Sequence, residues 1–220
     1  MRDPASAARL ARMARRSGQW GRQTLVWLHA VTSIGWMSLA LCLCVLLLAG
    51  PPSGYEAARI LDKQLLAHLG TSSAFTGLML SALTAWGYLR YWWVLAKFAV
   101  TLTQLYVGIA ILSPRLDALA DAGAAADAGP MIAASALMAS AIAGQAWLSV
   151  AKPWRHTPWA DPRWRTPHFP TWLYWAAVAV PVLDFVVWRA VFGAPAPLLS
   201  LIIVLVFPLY RRRHLRLATA

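Results

Sequence analysis

Four ionisable side chains, His29, His68, Lys97 and Asp184, lie inside long apolar stretches of this 220-residue chain. A charge surrounded by hydrocarbon is costly, so such residues face a bundle interior or a wet cavity and mark candidate sites. A neutral imidazole can ligate iron, and an ammonium can hold a carboxylate or a haem propionate. With a rise of about 1.5 Å per residue, His29 falls about 7 Å and Lys97 about 9 Å from the same membrane boundary, with Gln145 at comparable depth. His68, Gln104 and Asp184 fall roughly 20 Å from that boundary, which predicts a second polar layer. Each residue also has a plainer role: Lys97 can snorkel to the headgroups, His29 can bond a nearby carbonyl, and His68 and Asp184 can pair structurally.

Six apolar stretches, at residues 24–50, 60–88, 91–113, 131–150, 171–192 and 197–210, must position these groups. Most exceed the ~20 residues needed to cross about 30 Å of hydrocarbon, the sixth being short. Fifteen of the 20 Lys and Arg sit on one set of alternate connections and only Arg59, Lys63, Arg115 and Arg189 on the other, with Lys97 inside a span. The asymmetry predicts an all-α polytopic bundle of about six transmembrane helices with both termini cytoplasmic, in a bacterial cytoplasmic membrane. A re-entrant C-terminal pair after four crossings satisfies the same parity. The organisation expected is a basic segment at 1–22, a four-helix core at 23–150, a Trp/Pro/Arg-rich loop at 151–170, a helix pair at 171–210 and a basic tail at 211–220.

The net charge of +12 is confined to the membrane flanks of one side, which points to anionic lipid at the inner face and away from nucleic acid. Arginines interleaved with apolar residues before residue 17 suit an amphipathic helix on the inner surface, or a disordered arm. The first apolar stretch is too long for a signal-peptide core and reads as a retained helix. Cys42 and Cys44, about 200° apart around one helix, cannot bond each other.

Small residues at Gly70, Ala74, Gly77 and Ser81 predict close backbone approach and a central second helix, and Ala136, Ser140 and Gly144 predict the same for the fourth. Pro181, within a turn of Asp184, removes a backbone hydrogen bond and predicts a kink. The loop at 151–170, with Trp154, Trp159 and Trp164 among prolines and arginines, is expected to be non-helical and to drape over the interface.

The segment WLHAVTSIGWMS at 27–38 and the segment WWVLAKFAVTLTQLY at 92–106, with its Trp-x-x-x-Lys pattern, resemble the first and third helices of the HemJ-type protoporphyrinogen oxidases and the related copper-resistance D membrane proteins. The likeness spans about the first four helices. It implies a haem ligand at His29 and a functional ammonium at Lys97, with haem b or a porphyrin as cofactor. The chain departs from that pattern in having no Arg after the first helix until Arg59, Val107 after Tyr106 where that group has His, and two further helices. Enzymatic activity is therefore left open.

Three functions are compatible with these residues. The first is a haem or porphyrin site near the inner face. The second is a small-solute or metal-ion transporter using the two polar layers as stations. The third is a non-catalytic scaffold that engages a membrane-protein partner or a second copy. Nucleotide loops, Ser-His-Asp arrangements, Cys/His zinc spacing and paired carboxylates do not occur, which argues against kinases, hydrolases and zinc enzymes.

Overall fold

The structure is a computed structural model that describes residues 4–160, 169–193 and 196–217, the side chains before residue 16 and those of residues 212 and 214–217 excepted. It is an all-helical bundle of six rods with no β-strand among the described residues. The first rod is α1, Pro4–Ala49, and the second joins α2, Ser53–Leu61, to α3, Ala67–Leu83, through a π-helical turn at Asp62–Leu66. The third joins α4, Trp92–Tyr106, to α5, Ser113–Ala122, through a second π turn at Val107–Leu112. The last three are α6, Gly129–Ala151, α7, Thr171–Phe192, and α8, Leu198–Leu217.

Four segments are long and apolar enough to cross a membrane: Arg16–Ala49, Trp92–Ala125, Gly129–Ala151 and Thr171–Phe192. The chain is thus a multi-pass membrane protein in lipid contact. The α2/α3 rod is not among the four: Glu56, Arg59, Asp62 and Lys63 occupy its outer part, and His68, Thr71, Ser72, Ser73 and Thr76 lower the hydropathy of the rest. It starts before the expected stretch and stops at Leu83, where Thr84 turns extended. Polar pairs join that outer part to α5: Arg59 bonds Asp121 at 3.1 Å and Lys63 bonds Asp117 at 2.7 Å. These exposed pairs set orientation more than stability.

The N-terminal arm is not separate from the first span. Helix α1 is continuous for 46 residues, about 69 Å at 1.5 Å per residue, so it projects well beyond one leaflet. Gly18 and Gly21 let α7 approach it: a Cβ at Gly21 would lie 2.9 Å from that of Tyr174. Helix α8 likewise runs on through the first part of the basic tail, and α7 continues through Pro181.

Packing follows the small residues of α3. A Cβ at Gly70 would stand 3.0 Å from the Trp36 indole, and one at Gly77 would stand 3.0 Å from the His29 ring. The second rod is central as expected, since α3 meets α1, α4, α7 and α8. The stripe on α6 behaves differently. Ala136, Ser140 and Gly144 are exposed, and nothing lies within 4 Å of a Cβ at Gly144. Helix α6 packs instead through Ser135, Met138, Ala139, Ile142 and Gln145.

Two apolar cores result, and both use α1. Its C-terminal half, from Trp36 to Leu47, packs with α2, α5 and α6. Leu25, nearer the N-terminus, packs with α3, α7 and Phe207 of α8. The C-terminal helix pair is therefore integrated with the first four rods through α1 and α3. Cys42 and Cys44 are unbridged thiols.

Candidate functional site

Helices α1, α3, α4 and α6 contact one another in cyclic order, placing α1 diagonally across from α4. His29 and Lys97 come from these two diagonal helices. His29 Nδ1 lies 3.0 Å from the Ser73 carbonyl and 3.1 Å from Thr76 Oγ1. A carbonyl only accepts, so the neutral ring carries its proton on Nδ1 and its lone pair on Nε2. Metal-ligating histidines are oriented in the same way, by a backbone or carboxylate oxygen on the ring nitrogen away from the metal. Ser33 bonds Ser73 at 2.7 Å and ties the same seam of α1 to α3. Thr32 is spent on its own helix, donating to the carbonyls of Leu28 and His29.

Lys97 bonds α6: Nζ donates to Ser149 Oγ at 2.5 Å, and Ser149, in the last turn of α6, donates to the Gln145 carbonyl at 3.0 Å. The ladder continues inward. Thr101 donates to Gln145 Oε1 at 2.6 Å, Gln145 Nε2 to Gln104 Oε1 at 2.6 Å, and Gln104 Nε2 to the Met138 carbonyl at 2.9 Å. Gln104 thus joins Gln145 and Lys97 in one continuous strip. The expected division into two layers, with Gln104 in the outer one, is replaced by this ladder. Gln145→Leu removes the partners of Thr101 and Gln104 and should cost about 1–2 kcal/mol. The double change Gln104→Leu with Gln145→Leu should restore most of that loss in detergent unfolding, since both partners become apolar together.

Comparison with family models, with curated proteins and with solved structures finds no match to this chain. The site must therefore be judged on its own donors.

His68 and Asp184 lie on α3 and α7, which pack together, but each bonds other partners. His68 Nε2 bonds Ser72 Oγ at 3.2 Å, and its ring lies 5.0 Å from that of Phe185. The Asp184 carboxylate is fully buried and serves α8. It accepts from the backbone of Leu199 and Ser200 at 2.9 Å each, and from Trp188 Nε1 at 3.0 Å. A helix leaves its first N–H groups without intrahelical partners, and here a carboxylate from the neighbouring rod supplies them. The sequence holds the signal: Ala196 and Pro197 before Leu198 offer no side-chain acceptor.

Asp62 falls by sequence among the outer-loop acids, yet it is 5% exposed and accepts from Ser113 Oγ at 2.5 Å. The two π turns face each other here across a cavity of about 20 Å³ lined by Asp62, Gly108, Ser135 and Met138 among others. That is room for a single water.

At the basic end the connections at 84–91 and 152–160 lock together. Thr157 N donates to the Arg90 carbonyl at 2.9 Å, and Thr157 Oγ1 and Trp159 Nε1 both reach the Leu89 carbonyl. Lys152 lies 4.7 Å over Trp86, and His156 stacks 4.5 Å from Tyr91. The described part of the loop is non-helical as expected, with Trp154 and Trp159 exposed. Trp164 lies outside the described residues.

Among the candidates, then, His29 bonds α3 and Lys97 bonds α6, while Gln104, Gln145, His68 and Asp184 serve helix packing. No cluster of three or more His, Cys, Asp or Glu suited to a bare metal ion occurs among the described residues.

Proposed function

We propose that this chain is a haem- or porphyrin-binding protein of the bacterial cytoplasmic membrane, with the ligand held by His29 and Lys97 inside the α1, α3, α4 and α6 ring. The observation that carries this reading is the Nδ1–H of His29 fixed on the Ser73 carbonyl, which leaves Nε2 as an oriented lone pair. The resemblance of residues 27–38 and 92–106 to the HemJ-type and copper-resistance D groups supports the same two residues. Bound haem would supply one-electron chemistry, while the protein contributes the axial ligand, the tautomer lock and a counter-charge. The concentration of basic residues at one end supports a cytoplasmic face in contact with anionic lipid.

The test is the visible spectrum of the full chain in mild detergent with and without added haemin. A Soret band is expected from the wild-type protein, lost in His29→Ala and weakened in Lys97→Gln. A colourless protein indifferent to haemin, or one whose band survives His29→Ala unchanged, overturns the assignment. The scaffold is the second reading, favoured by Gln104, Gln145 and Asp184 all being consumed in helix contacts. The transporter reading is weaker, because Asp184, its best station, caps α8.

A further inference from the structure

A groove of about 350 Å³ opens between α3, α4 and α8, lined by Leu78, Tyr88, Phe98, Leu102, Val204 and Pro208 among others. Its volume lies in the lower part of the roughly 300–1,000 Å³ range of small-molecule sites. Val204, Pro208 and Arg211 are spaced by four and three residues, so they share one face of α8. That face runs from apolar to cationic. Arg211 is fixed at the end of the groove: its Nε donates to the Ala82 carbonyl at 3.2 Å and its guanidinium stands 5.4 Å over the ring of Tyr88, a groove-lining residue. Arg90 follows Leu89, which also lines the groove, and Arg213 is exposed two residues after Arg211. Only Asp3 and Asp161 accompany the fifteen basic residues of this end in the sequence. The trough is thus apolar along the hydrocarbon and positive at the headgroup level.

We propose that this groove binds one acyl chain of an anionic phospholipid, with the headgroup phosphate at Arg211. The Arg211 guanidinium, its Nε already on the Ala82 carbonyl, contributes positive charge at that end, and a zwitterionic headgroup gains less from the surrounding positive field. The site is separate from His29 and Lys97, neither of which lines it, so it stands whether or not the chain binds haem.

The test uses the full chain in mild detergent, titrated with phosphatidylglycerol or phosphatidylcholine and read by native mass spectrometry and by the unfolding midpoint. One retained phosphatidylglycerol is expected, with a raised midpoint and clear discrimination against phosphatidylcholine. Arg211→Gln should lower its apparent affinity about fivefold, the value of one arginine near an anionic surface. Leu102→Trp should abolish retention by filling the trough; Leu102 is 54% exposed, so the core is left intact. Equal retention of the two lipids, or unchanged phosphatidylglycerol binding in Leu102→Trp, overturns the proposal. So does a dimer that Leu102→Trp dissociates, which would assign the groove to a second copy. Haemin binding that fails in Leu102→Trp yet survives His29→Ala would assign the groove to a macrocycle and overturn the lipid site equally.

Discussion

Asp184→Ala is expected to lower the stability of the bundle by about 3–5 kcal/mol, since it strands three donors at roughly 1–3 kcal/mol each. The reason is local. Two backbone donors of α8 and the Trp188 indole all depend on this carboxylate, and neither water nor another side chain replaces it at a fully buried position. Asp184→Asn keeps one acceptor oxygen and should lose distinctly less. The measurement is the unfolding midpoint in detergent, together with trypsin cleavage in the C-terminal tail, which should accelerate as α8 undocks. An Asp184→Ala protein with unchanged midpoint and unchanged cleavage would mean that the first turn of α8 does not rely on α7.

The next largest effect is expected at Gly77. A Cβ there would sit 3.0 Å from His29 Cε1, and the ring cannot swing aside without breaking its bonds to Ser73 and Thr76. Gly77→Leu should therefore cost about 1–3 kcal/mol through overpacking. It should also abolish any Soret band that depends on His29, which links the stability of the α1 and α3 contact to the proposed ligand. Gly144→Leu provides the contrast. Nothing lies near that Cβ, so the change should be neutral, or stabilising by up to about 1 kcal/mol from helix propensity. If the two substitutions cost the same, the close approach at Gly77 does not govern the packing.

These two glycines also show what the sequence can and cannot reveal. Small residues at helical spacing are visible in both α3 and α6, but the letters do not say whether a neighbour stands on that side. On α3 one does, and on α6 the stripe faces outward. Span limits are legible where hydropathy changes sharply, as at Thr171–Phe192 and nearly so at Gly129–Ala151. They are not legible where a helix continues past its apolar part, as with the arm of α1, the tail of α8 and the outer extension through α2. The depth of Gln104 differs from expectation because each helix is measured from its own apolar boundary. Lys97 is in the second turn of α4 while its partner Ser149 is in the last turn of α6, so those boundaries are staggered and share no plane. The need for an external cap on α8 is legible in Ala196 and Pro197, but its supplier is not, because donors and acceptor lie on different rods, 15 and 16 residues apart. His29 and Lys97 are legible as candidates by chemical type alone, whereas their partners on α3 and α6 are not.

The reach of α1 bears on how the chain is assembled as it leaves the ribosome. Among the described helices it is translated before the others, and α2, α3, α6 and α7 all dock directly on it. Each arriving helix except α4, α5 and α8 therefore finds a principal partner already in place, and those three attach to helices completed before them. Biogenesis can then proceed by accretion around a pre-existing mast, with the last helix secured once the carboxylate of its predecessor has been inserted.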